Sequence, residues 1–118
     1  MKRILTHLVV VAVAALAPAA VRAHHGWSEY DGSRVLTLTG VIKASGYEHP
    51  HGHVVLDVEG KIWHVVLAPP SRMQNRGLTR AALKAGNKVT VVAYPNRNQP
   101  EEARAERISV DGKTVELR

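Results

Sequence analysis

Apolar and polar positions divide the chain into a leader, a polar arm and a series of short strand-like runs. Ile4 to Ala20 is apolar apart from Thr6 and His7, follows the positive start Met1-Lys2-Arg3, and leads into Val21-Arg22-Ala23. Small or β-branched residues at −3 and −1 complete the pattern of a secretory signal peptide, predicted over residues 1–23 with cleavage after Ala23. A retained anchor is the alternative. The uninterrupted apolar core, Leu8 to Ala17, falls short of the roughly 20 residues that span a bilayer.

Residues 24–34 read as a polar, turn-rich arm carrying two large aromatics, Trp27 and Tyr30, able to dock it on the domain. The domain then occupies 35–118. Arg34 to Lys43 is β-branched and partly alternating, which predicts a strand, with Gly40 marking a bulge or sharp bend. His53 to Val58 and Lys61 to Ala68 are predicted strands around the turn Glu59-Gly60. Pro69-Pro70 stops the second of them, since neither can donate to a ladder. Ser71 to Asn75 suits a short helical turn. Thr79 is an expected N-cap for a short helix over Arg80 to Ala85, with Gly86 as its C-terminal stop. Lys88 to Tyr94 is the next strand and Pro95 to Glu102 a surface loop. Ala105 to Val110 and Lys113 to Leu117 form a closing hairpin through Asp111-Gly112. Five or six short strands with one short helix between the third and fourth predict an all-β, small closed barrel of the OB (oligonucleotide/oligosaccharide-binding) type, a small β-sandwich being the second choice.

Composition narrows the chemistry. Removing 23 of the 118 residues leaves 95, enough for one small domain. Lys2, Arg3 and Arg22 leave with the leader, so the formal net charge falls from +6 to +3. The remaining cations are interspersed with acids, which argues against nucleic-acid binding. The sequence has no cysteine, excluding disulfides, thiolate ligands and a nucleophilic Cys, and no phenylalanine, so Val, Leu, Ile and Ala must build the core. No nucleophile elbow, phosphate loop, zincin helix or EF-hand spacing is present.

Histidine is the residue in excess. Seven occur in the sequence, and all but His7 lie beyond the leader. In an extended segment His49, His51 and His53 would share one face, and imidazoles so spaced can converge on one ion at metal–nitrogen distances of about 2.0–2.1 Å. A solvated loop of unconnected histidines is the plain alternative. His24 would become the first residue after cleavage, its amine and imidazole chelating one ion together as in a histidine brace, with His25 as ligand or spacer. Cleavage one residue earlier would place His25 third from the amine, in an amino-terminal copper and nickel site. Both arrangements favour copper(II) on nitrogen-ligand grounds, with zinc or nickel as alternatives. His64, in the apolar run Ile62 to Val66, reads first as a hydrogen-bonded strand residue and second as a ligand. Glu48 reads first as a solvated charge and second as a carboxylate ligand or orienter. The mixed-charge run Glu101 to Arg107 carries no assigned role.

Four stretches together give the chain a family likeness: Ala23-His24-His25-Gly26 at the mature start, His49-Pro50-His51 before a strand, Arg76-Gly77-Leu78-Thr79, and the closing Asp111-Gly112 hairpin. In these it resembles a family of small secreted bacterial proteins described as a domain of unknown function, of the DUF6152 type. The resemblance implies an exported OB-like barrel and supplies no activity. It carries across only His24, His25 and His51; His49 stands where the family has Asn, and position 53 is expected to be apolar or variable.

The resulting expectation is a periplasmic or secreted, non-enzymatic metal-binding protein for sequestration, delivery or sensing. His24, His25 and His51 are its principal ligands and His49 and His53 accessory ones. It would work alone or with a periplasmic partner protein, away from nucleic acid and from the membrane. Two rivals stand beside it: a metal-independent module gripping a peptide, glycan or protein on a face carrying Trp63 and Tyr94, and a redox enzyme built on the brace.

Overall fold

The computed structural model describes residues 26–118; the leader, His24 and His25 lie outside the described residues. No helix among the described residues is long and apolar enough to cross a membrane. The element order is β1 (Leu36–Gly46), β2 (His53–Val58), β3 (Lys61–Val66), the helix α1 (Pro70–Asn75), a 3-10 turn (Arg80–Leu83), β4 (Lys88–Pro95), β5 (Glu102–Val110) and β6 (Lys113–Glu116). The sheet runs β3-β2-β1-β4-β5-β6, and β3 also pairs with β5, so five strands close into a barrel and β6 extends one side. All pairings are antiparallel except the closing one, where His64, Val65 and Val66 run parallel to Glu102, Ala103 and Arg104. This is the predicted all-β OB-like barrel. The short α-helix between the third and fourth strands is Pro70–Asn75, expected as a helical turn. The segment capped by Thr79 closes as a 3-10 turn over Arg80–Leu83 and not as a helix reaching Ala85.

Local chemistry sets the joints. Both two-residue hairpins turn through positive φ at each central position, 51° and 86° at Glu59-Gly60 and 50° and 77° at Asp111-Gly112. That is the primed geometry whose twist matches the flanking strands. Thr79 accepts the Ala82 amide at 3.3 Å, capping the 3-10 turn. Pro70 occupies the first turn of α1, where its missing N–H costs nothing.

Alternation then fills the interior. Leu38, Ile42, Val54, Leu56, Val65, Val89, Val91 and Ile108 point inward with Ala93, Ala103 and Ala105 between them, and Met73 and Leu83 close the end nearest α1. The Tyr47 hydroxyl donates to the carbonyl of Leu78, satisfying a polar atom among apolar neighbours.

Two sequence expectations shift. The β1–β2 bulge falls at Lys43, between the pairs Ile42–Leu56 and Ala44–Val55, and not at Gly40. Gly40 instead accommodates the backbone of Asp57: a Cβ there would run into the Asp57 carbonyl and a Val58 methyl. The fifth strand starts at Glu102 and not Ala105. Its first residues belong to the parallel pairing with β3, a tertiary contact that a mixed-charge run does not announce. A second bulge between β4 and β5 leaves Glu106 as the extra residue.

Gly40→Ala is therefore expected to destabilise the barrel by about 1–3 kcal/mol through overpacking. Gly32→Ala, with nothing within 4 Å of the added methyl, should stay within about 0.5 kcal/mol. Urea-unfolding midpoints of the two variants check the contrast.

Candidate functional site

The register of the closing strands aligns two cross-strand rows on the outer wall. In one, Val55 of β2 pairs with His64 of β3, which pairs with Glu102 of β5; in the next, His53, Val66 and Arg104 are aligned in the same way. Adjacent strands are separated by about 4.8 Å, so each row spans about 10 Å. His53 and His64 occupy diagonal positions on one face. A cleft of about 310 Å³ opens there, lined by His51, His53, His64 and Glu102 with Pro50 and Gly52 at its edge.

The segment before β2 does not present its histidines as alternate strand positions. It bends at His49 and Pro50, joined by a cis peptide bond, and only His53 belongs to β2. A shared face for residues 49, 51 and 53 requires an extended chain throughout, and the bend removes it. His51 and His53 line the cleft; His49 is exposed outside its lining, and so is Glu48. Gly52 continues the ladder past the end of β2, donating to the Ala68 carbonyl and accepting from the Leu67 amide, both at 2.8 Å. A side chain on Gly52 would meet Met73, and one on Gly46 would meet the His53 ring, which lies across the neighbouring strand at that point.

The arm packs on the same wall. A short 3-10 turn, Trp27–Glu29, leads to Tyr30, which bridges to Asn96. The Trp27 ring lies under the guanidinium groups of Arg104 and Arg118, at 4.3 and 4.5 Å. It also meets Tyr30 and Tyr94 edge-on, with ring centroids 6.4 and 6.1 Å apart. Tyr30 is buried and donates its hydroxyl proton to Glu102 Oε2 at 3.0 Å; Asn96 Nδ2 donates to the same oxygen at 2.7 Å. Burial, reinforced by the negative charge of Glu102, pushes the Tyr30 phenol well above its ordinary pKa, so it stays a donor. Burial likewise lowers the pKa of Arg104. Backbone bonds from Asp31 N to the Pro95 carbonyl and from Arg97 N to the Glu29 carbonyl, both 2.9 Å, tie the arm to the end of β4 and to the β4–β5 loop.

Glu102 thus stands between the arm and the histidine cleft: its carboxylate accepts from Tyr30 and Asn96, and the residue also lines the cleft. Neither Glu102, Asn96 nor Arg104 stands out in the sequence. Their roles come from the β3–β5 pairing and the arm's path, and the only local hint is Ala103 and Ala105 alternating with polar neighbours. His64, ranked low from sequence, lies in the cleft. Trp63 and Tyr94 do not share a face: Trp63 pairs with buried Leu56 and turns toward the barrel interior, whereas Tyr94 lies outside beneath Trp27. Among the described residues no three of the His, Asp and Glu side chains form a group that could hold a metal ion. His24 and His25, which would add to any such group, lie outside the described residues.

No curated protein matches this chain. A family model described as a family of unknown function (DUF6152) matches residues 9–104, which takes in the arm and the barrel through β3, α1, β4 and the start of β5. With most of its length covered, the chain belongs to the DUF6152 family.

Proposed function

We propose that the protein is an exported, periplasmic or secreted metal-binding protein, not an enzyme, with copper(II) preferred and zinc or nickel as alternatives. Sequestration, delivery to a partner protein and sensing are the roles that suit it. His24 and His25 supply ligands from the arm, and His51 and His53 supply them from the cleft. His64 and Glu102 stand beside them, and His49 is at most an accessory.

The observation that supports this reading is the anchoring of the arm on the histidine wall. Trp27 rests on Arg104, two strands from His53 in the same row. His25 and His24 precede Trp27 by two and three residues. At about 3.3–3.6 Å per residue, that length of chain spans roughly 7–11 Å, comparable to the width of the row. The cleft alone lacks a full ligand set among the described residues, and on this reading the two arm histidines complete it. If the chain begins at His24, amine and imidazole chelate together, and copper(II) is favoured over zinc for a nitrogen set. Fixing the arm through Trp27 and Tyr30 lowers the entropic cost of gathering the ligands.

Copper(II) competition titrations on the exported protein test the reading. His51→Ala and His53→Ala are each expected to weaken uptake by about tenfold or more, and His49→Ala to change it little. Trp27→Ala removes no ligand, yet is expected to weaken uptake about tenfold by releasing the arm, whereas Trp27→Phe retains most of it. Uptake unchanged by both His51→Ala and Trp27→Ala overturns the proposal.

A second expected outcome concerns stability. Trp27→Ala deletes two cation–π contacts and two edge-on ring contacts, each worth about 0.5–1.5 kcal/mol, and should lower unfolding free energy by roughly 2 kcal/mol. Tyr30→Phe leaves the rings in place and should cost about 1 kcal/mol for the lost bond to Glu102. Chemical denaturation of metal-free protein measures both.

A further inference from the structure

The open mouth of the barrel, away from the histidine cleft, has a chemistry of its own. β1 and β3 begin there, and the β4–β5 loop passes beside them. The cavity between them holds about 380 Å³ and is lined by Leu36, Trp63, Arg34, Lys61, Arg97 and Asn98, with prolines of the loop completing the rim. Leu36 and Trp63 are partly buried inward residues that pack against the top of the core. Lys61 follows the same alternation as Trp63 and Val65, and its ammonium lies 4.0 Å from the centre of the Trp63 ring. The cavity therefore has an apolar floor and a rim bearing three cations from three separate elements.

None of these cations forms an ion pair with an acidic side chain of the cavity. Asp31 feels both Arg97 and Arg34, but its carboxylate already accepts the Ser33 hydroxyl and amide at 2.6 and 3.1 Å. Arg97 spends Nε on the Ser28 carbonyl. No acidic side chain lines the cavity itself. Excess positive charge gathered over a small apolar floor at a barrel mouth is the arrangement that holds a ligand with one anionic head and a compact body.

We propose that the barrel mouth binds a small organic anion the size of one sugar ring, bearing a carboxylate or a phosphate. Arg34, Lys61 and Arg97 take the charged group, and the body rests against Leu36 and Trp63. This site uses none of the histidines and stands or falls independently of metal binding.

The test is a nitrogen-15 amide and indole spectrum of the full exported protein titrated with glucuronate, glucose 6-phosphate, glucose and inorganic phosphate. The expected result is a saturable shift of the Trp63 indole and the Leu36 amide with glucuronate or glucose 6-phosphate, whichever head the site prefers, and far weaker shifts with glucose or phosphate. The double variant Lys61→Gln, Arg34→Gln, whose unchanged spectrum elsewhere verifies folding, should weaken that binding about tenfold or more. Equal binding of glucose overturns the role of the charge, and equal binding of inorganic phosphate overturns the role of the body. Absence of shifts with both organic anions, or binding that survives the double variant, overturns the site.

Discussion

The parallel pairing of β3 with β5 is the contact on which the rest of the molecule depends. Without it, β1 to β5 form an open sheet whose two edges, at His64–Val66 and Glu102–Arg104, would each present unpaired backbone groups. With it, the edges satisfy one another and the inward residues Val65 and Ala103 seal the core. The outward residues fall into rows carrying His53, His64, Glu102 and Arg104. Closure is thus a structural requirement of a small barrel that also decides which polar side chains become neighbours. Glu102 and Arg104, one strand apart from histidine and valine partners, then form the platform on which Trp27 and Tyr30 rest.

Packing of the arm adds what a barrel of short strands lacks. The described barrel contains no phenylalanine, and its interior is built from Val, Leu, Ile and small alanines with Met73 as a flexible filler. Trp27, Tyr30 and Tyr94 therefore cluster outside the wall, against Arg104 and Arg118. There the guanidinium groups lie over an aromatic face, a geometry that suits arginine better than lysine. Burying Tyr30 is tolerable because its hydroxyl reaches Glu102, and burying the Glu102 edge is tolerable because Tyr30 and Asn96 both donate to it.

Much of the barrel was legible from the sequence because its signals are local. Two turn pairs, Glu59-Gly60 and Asp111-Gly112, fix hairpins by their own backbone preferences, and β2 has the limits its β-branched run suggests. What depended on distant partners was not legible. Gly40 looked like a bulge and turned out to make room for the Asp57 carbonyl. Glu101 to Arg107 looked like solvated charge because nothing near it in sequence discloses β3. The histidine segment shows the same limit: alternation predicts a shared face only in an extended chain, and the bend at His49-Pro50 leaves His49 outside the cleft that His51 and His53 line, while His64 arrives from the neighbouring strand. Trp63 and Tyr94, both aromatic and both in strands, proved to lie on opposite sides of the wall.

The central claim is that the arm and the cleft hold one metal ion between them. Native mass spectrometry of the exported protein, with and without copper(II), tests it most directly, because one spectrum reports both the first residue and the number of ions retained. The account requires a chain beginning at His24 or Ala23 that keeps one copper, and a chain shortened to begin at Trp27 that keeps none. A full-length mature chain that stays metal-free, or a shortened chain that binds copper equally well, would contradict it.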